Sequence, residues 1–191
     1  MSTRDYVTIV SGLPRSGTSM MMQMLDVGGL PALTDHVRKP DEDNPKGYYE
    51  FEPVKRTKQD PSWVPTAVGK VVKMVYRLLY DLPSDYSYRV LFMRRKLEEV
   101  IKSQEVMLQR SGKSGGNLSD EEFMRLFAAE IDKCLRWMNE QPNFRYIQVD
   151  YNEMVADPRK QVARVVEFLG DLDAEKMVGV VDPSLYRQRA P

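Results

Sequence analysis

The sequence predicts an α/β protein with a mostly parallel central sheet and helices on both faces. Three observations carry this. Short runs rich in β-branched and aromatic residues, at 6–10, 70–75, 88–93 and 144–149, read as strands. Longer stretches with helical spacing alternate with them. The first strand leads straight into a glycine-bearing turn, Gly12 to Gly17, that opens a helix.

The elements follow in order. Residues 17–27 form the first helix; Met20, Met21, Met22, Met24 and Leu25 make it apolar nearly all round, so it is expected to be sandwiched inside the fold. Residues 28–50 read as a loop, with Gly28, Gly29, Pro31, Pro40 and the turn Asn44-Pro45-Lys46-Gly47, ending in Tyr48-Tyr49-Glu50-Phe51. A short helix begun by Pro53 is expected over 53–60. After the third strand a helix runs over 97–109 with Leu97, Ile101, Gln104 and Leu108 on one face, followed by the Gly/Ser-rich loop 111–117. Ser119 and Glu122 form a capping box for a helix to about 138, whose buried stripe is Phe123, Phe127, Ile131, Cys134 and Met138. Asp157-Pro158 starts a helix that Gly170 ends, with Val162, Val165, Val166 and Leu169 inward, and a last short helix covers 173–179.

Composition narrows the function. The apolar share of 42% in 191 residues supports a single domain spanning 1–191. Lys+Arg and Asp+Glu balance at 28 each, which argues against a nucleic-acid partner or a polybasic membrane surface. One cysteine and one histidine, Cys134 and His36, point away from a disulfide framework and from Cys- or His-rich metal sites. The N-terminal residues resemble no secretory signal and no stretch is apolar enough to span a bilayer, so a cytoplasmic protein without a membrane span is expected.

The turn after the first strand carries the chemistry. Backbone N–H groups of a tight loop and of a helix's first turn converge on one point and favour an anion there. Gly12 and Gly17 have P-loop spacing, but the lysine position of a nucleoside-triphosphate P-loop holds Thr18, leaving Arg15 as the loop's fixed cation. The loop is therefore expected to hold a phosphate-like anion other than a Mg-triphosphate. In a parallel sheet, ligands gather at the carboxyl ends of the strands. That brings Arg15, the 73–76 segment, Arg94/Arg95 and Asp150/Tyr151 toward one region, and two cationic strand ends suit a ligand with two anionic ends.

Three stretches then resemble the sulfotransferases that use 3′-phosphoadenosine 5′-phosphosulfate (PAPS). Leu13-Pro14-Arg15-Ser16-Gly17-Thr18-Ser19 is similar to that family's 5′-phosphosulfate loop. Arg95, with Ser103 eight residues on, resembles its 3′-phosphate site; that spacing is just over two helical turns. Asp150-Tyr151-Asn152-Glu153, running on to Asp157-Pro158 and Phe168-Leu169-Gly170, resembles a third family segment. The resemblance implies a P-loop-like three-layer fold and sulfuryl transfer from PAPS to a hydroxyl or amine of a small-molecule, glycan or lipid acceptor. The product would be 3′-phosphoadenosine 5′-phosphate (PAP), and no metal would be required. It implies that Pro14, Arg15, Ser16, Gly17, Thr18 and Ser19 hold the 5′ end and that Arg95 and Ser103 grip the 3′-phosphate. Tyr151 would lie near the adenine, and Arg187 or Arg189 would close over the nucleotide. The histidine that many members place at the end of the second strand falls on Val75; Lys73 aligns with the family's lysine. A side chain of the loop after the first helix is then the expected base, the Glu50 carboxylate first and the His36 imidazole second. Two other readings stay open: a P-loop kinase or nucleotidase, with Val149-Asp150 imitating a metal-binding aspartate, and a non-catalytic PAPS- or PAP-binding module.

Overall fold

The chain's apolar runs assemble into four parallel strands in the order β2-β1-β3-β4 in the computed structural model, which describes residues 4–35, 47–110 and 119–182. The strands are β1 (Val7–Gly12), β2 (Val71–Lys73), β3 (Tyr88–Arg94) and β4 (Phe144–Asp150). β1 lies inside the sheet, pairing Ile9 with Val72 on one side and with Val90 on the other. All six of its residues are buried, which is why its sequence is a continuous apolar run rather than an alternating one. β4, paired only with β3 among the described residues, is less buried: Arg145 and Gln148 are exposed while Phe144 and Val149 are buried. The short β2 is extended at its outer edge by residues 31–33, where Val71 N–H donates to the Pro31 carbonyl and Leu33 N–H donates to the Val71 carbonyl.

Two cores flank the sheet, as the pleat requires. Val7, Ile9, Val72, Val90 and Phe92 face one side, where they pack against Trp63, Leu79, Val100 and the Ile131, Cys134 and Met138 stripe. These come from α2 (Val64–Ala67) and the residues just before it, the 3-10 helix Tyr76–Asp81, α3 (Leu97–Arg110) and α4 (Asp120–Glu140). On the other side Val10, Val71, Leu91, Met93 and Val149 meet Met21, Met22, Met24 and Leu25 of α1 (Thr18–Val27). That side also holds α5 (Tyr151–Ala156), α6 (Pro158–Leu169) and α7 (Ala174–Val178), through Met154, Val162, Val165, Leu169 and Met177. The result is the three-layer arrangement expected from the sequence.

Local signals explain the element ends. The capping box of α4 is formed: the Ser119 hydroxyl accepts from Glu122 N–H at 3.3 Å and the Glu122 carboxylate accepts from Ser119 N–H at 2.9 Å. Asp157 caps α6 through Lys160 N–H, with Pro158 as its first residue and Gly170 at its end. The buried stripe of α4 is fullest at Ile131, Cys134 and Met138, whereas Phe123 and Phe127 are half-buried and stack edge-on at 4.5 Å. The expected helix near 53–60 is a 3-10 helix, Glu52–Arg56. The inward face of α3 departs most from its spacing. Gln104 and Leu108 are half-buried, and Glu99, Val100 and Ser103 are buried beside Ile101. A carboxylate there needs a partner, and the site supplies one.

Candidate functional site

The Gly12–Ser19 loop sits where the carboxyl ends of β1 and β3 meet. Gly12 has φ +141°, and a Cβ there would come within 2.6 Å of the Met93 carbonyl oxygen on β3. Gly17 has φ +90° and caps α1 without any side-chain hydrogen bond; a Cβ on it would lie 2.4 Å from the Tyr151 ring. Both glycines are thus required by close approach as well as by backbone angle. Between them Ser16 turns inward, its hydroxyl donating to the Leu13 carbonyl at 2.7 Å, and Pro14 is exposed. Thr18 and Ser19, both half-buried, open α1.

Arg15 also has a left-handed backbone, φ 69°, which is strained for a side chain with a Cβ. The turn swings its side chain toward α3, where Arg15 Nε donates to Ser103 Oγ at 2.9 Å. Its main-chain carbonyl accepts from Arg95 Nη1 at 3.0 Å. The Arg95 guanidinium lies 4.6 Å from the centre of the Tyr151 ring, a cation–π contact. Arg95 Nε in turn donates to Glu99 Oε2 at 2.8 Å, and the Glu99 side chain is fully buried. Asn152 Nδ2 reaches both Glu99 oxygens, at 3.0 and 3.1 Å, and Asn152 Oδ1 accepts from Lys96 N–H. Burial pushes the Tyr151 phenol above its ordinary pKa, opposed by the positive charge of Arg95.

A second cluster lies on the other side of the α1 start. Lys73, at the end of β2, is not turned to solvent: its side chain is 14% exposed and Nζ donates to Ser19 Oγ at 3.3 Å and to the Tyr48 carbonyl. Glu50 Oε1 is 4.0 Å from Lys73 Nζ, and the Glu50 side chain is 22% exposed. The segment that carries it is pinned, because the Glu50 carbonyl accepts from Thr34 Oγ1 at 2.9 Å and from Asp35 N–H at 3.1 Å.

Arg15, Ser103, Arg95 and Tyr151 are thus brought together, and Ser19, Lys73 and Glu50 form a neighbouring group at the same helix start. Arg94 separates from Arg95 despite being adjacent in sequence. It is the last residue of β3, and its Nη1 donates to Gln148 on β4 at 3.0 Å. Tyr76 also leaves the group, bonding to Glu130 and Arg77 beside α4. Asp150 is a helix cap, accepting from Glu153 N–H at 2.9 Å. His36, Arg187 and Arg189 lie outside the described residues. Glu99 and Asn152 escaped the sequence reading: an Arg and a Glu four apart on a helix ordinarily read as an exposed surface pair. Among the described residues no three His, Cys, Asp or Glu side chains cluster as metal ligands would, and no helix is long and apolar enough to cross a membrane.

Residues 87–173 match the family model described as "Sulfotransferase family". The match covers a little under half of the chain and makes that segment similar to sulfotransferases. The matched segment runs from β3 through α6, so it contains Arg95, Ser103 and Tyr151 but not the Gly12–Ser19 loop. Among solved structures, the chain is similar to the "Sulfotransferase Domain from the Curacin Biosynthetic Pathway", with 14% identity and a TM-score of 0.56 over 100% of this chain and 93% of that one. At that identity the likeness concerns the fold, which it covers over the loop and α1 as well as the matched segment. An unliganded sugar kinase from a Janibacter species, at TM-score 0.39 and 14% identity over 94% of this chain and 97% of the other, carries no argument. No curated protein matches the chain.

Proposed function

We propose that the protein transfers a sulfuryl group from PAPS to a hydroxyl or amine acceptor. The observation that carries this is the meeting of Arg15, Ser103, Arg95 and the Tyr151 ring beside an α1 N-terminus that opens on Gly17, which has no side chain to cap it. Two guanidinium groups at one end and the first amides of a helix at the other suit a ligand with two separated anionic groups. The lysine of a triphosphate P-loop is missing, and Asp150 is engaged as a cap, which favours a phosphosulfate over a Mg-triphosphate.

On this reading Arg95 and Ser103 hold the 3′-phosphate, Tyr151 flanks the adenine, and the amides of Gly17, Thr18 and Ser19 hold the 5′ end. Arg15, in the loop that holds the 5′ end, ties that loop to the 3′ group through its side chain to Ser103 and its carbonyl to Arg95. The donor, when bound, supplies a sulfuryl group whose link to the 5′-phosphate breaks as the acceptor atom bonds sulfur, the electron pair leaving on the phosphate. Glu50 is positioned to take the acceptor's proton at a carboxylate oxygen. Lys73 Nζ, bonded to Ser19 and close to Glu50, supplies positive charge where negative charge develops. The valine at the family's histidine position, Val75, cannot move a proton, so the task falls to the loop after the first helix, with Glu50 the first candidate and His36 the second.

Ligand binding and turnover test this separately. PAP should raise the melting temperature without Mg²⁺, and ATP with Mg²⁺ should not; the reverse pattern overturns the reading. With labelled PAPS and a panel of acceptors, Glu50→Ala should lower kcat by ~10²–10⁴-fold, the range for losing a general base, while PAP affinity stays near that of the wild type. Tight PAP binding with no transfer to any acceptor favours a binding module instead.

A further inference from the structure

We propose that Glu99 is the residue that positions Arg95 for its anion, so that the nucleotide's 3′-phosphate is recognised through a buried carboxylate that never touches it. The inference deepens the PAPS reading and rests on it. It starts from a cost. Glu99 is fully buried in the first turn of α3, where an ionised carboxylate loses its hydration and must be fully paired. The first turn of a helix favours negative charge, which lowers that cost only in part. The carboxylate accepts from Arg95 Nε and, on both oxygens, from Asn152 Nδ2. A surface ion pair at this spacing would contribute little. A buried one with every contact satisfied fixes geometry instead.

What it fixes is the Arg95 fork. Bonds at Nε to Glu99 and at Nη1 to the Arg15 carbonyl hold the guanidinium plane at two points. The Tyr151 ring, 4.6 Å away, supports it from a third direction. An arginine so held meets an anion without first losing side-chain freedom, so less of the binding energy is consumed in ordering it. Asn152 ties the same carboxylate to the start of α5, the helix that also carries Tyr151, and to the Lys96 amide ahead of α3. Glu99 thus links the two helices that flank the Arg95 side chain. Removing it also unmasks positive charge, which would attract phosphate more strongly. The contacts argue that lost orientation outweighs that gain, because a guanidinium released into solvent offers phosphate a screened charge in place of a fixed pair of donors.

The test compares PAP with adenosine 5′-phosphate, which lacks the 3′-phosphate, by calorimetric titration. The ratio of their dissociation constants measures what the 3′-phosphate adds. Glu99→Ala should shrink that ratio by about tenfold, the loss expected for one charge-assisted hydrogen bond, and leave adenosine 5′-phosphate binding nearly unchanged. Glu99→Gln keeps an acceptor for Arg95 but turns an amide donor toward Asn152. It should move the ratio the same way by a smaller factor, and it serves if the alanine variant does not fold. In an Arg95→Ala background, removing Glu99 should leave the ratio where Arg95→Ala alone puts it. An unchanged or larger ratio in the Glu99 variants, equal weakening of both ligands, or a further fall in the Arg95→Ala background each overturns the proposal. A wild-type protein that does not bind PAP overturns the sulfotransferase reading itself, and this inference with it.

Discussion

Gly17 and Tyr151 form one joint: the glycine's missing side chain is the space the ring fills. Gly17→Ala would force a Cβ to 2.4 Å from the ring at a φ of +90°. The backbone strain alone costs about 1–3 kcal/mol, and the displaced ring would also disturb Arg95. We expect a lower melting temperature together with weakened PAP binding; a variant that keeps both shows that the joint is not needed. Cys134 makes a different single-residue case. Burial holds its thiol up at about 11, from an ordinary 9.0. The folded value lies above the unfolded one, so the neutral thiol's contribution is complete below pH 9.0 and is lost as pH rises through about 11. Urea unfolding at pH 8 and at pH 10.5 should therefore show a larger loss of stability for wild type than for Cys134→Ala, and equal losses would contradict the assignment. The site residues divide by the same logic of context. Arg15, Arg95, Ser103 and Tyr151 are legible in the sequence because motif spacing marks them. Glu99 and Asn152 are not, because their meaning comes from burial, which no local pattern reveals.

Helix α5 shows why an element can hide while its signals are present. Its six residues, Tyr151–Ala156, follow β4 with no intervening loop and stop where Asp157 starts α6. Six residues give too little periodicity to distinguish a helix from an extended tail. Asp150 was visible as a polar residue at a strand end, the place where a metal-binding aspartate also stands. The structure uses it as the α5 cap. The two roles separate by substitution. Asn caps nearly as well as Asp but does not replace a metal-binding carboxylate. Asp150→Asn should retain PAP binding and sulfate transfer, whereas Asp150→Ala should cost about 1 kcal/mol of stability and loosen Tyr151 and Asn152 with it. Loss of activity in the Asn variant alone would restore the metal-site reading.

At the scale of the whole molecule, alternation of strands and helices sufficed to predict three layers, because a parallel strand must be covered on both faces to bury its apolar run. Which strand lies inside followed only from pairing. β1 is flanked by β2 and β3 and is fully buried, while among the described residues β4 has a partner on one side only. The site sits at the end of this interior strand, and its second arginine comes from the turn between the neighbouring β3 and α3. Nucleotide binding should therefore be felt across chain segments far apart in sequence. In hydrogen exchange, the amides of β1 and β3 should be the slowest of the sheet, and the outward amides of β4 faster. Adding PAP should slow exchange in the loop and first turn of α1 and in the start of α3 together, because the Arg95-to-Arg15 carbonyl bond joins them. The Arg95→Ala variant should break that joint response, leaving protection at α1 while α3 responds little. Protection at both segments in Arg95→Ala would mean that the two ends of the nucleotide act independently and that the bond between the arginines transmits nothing.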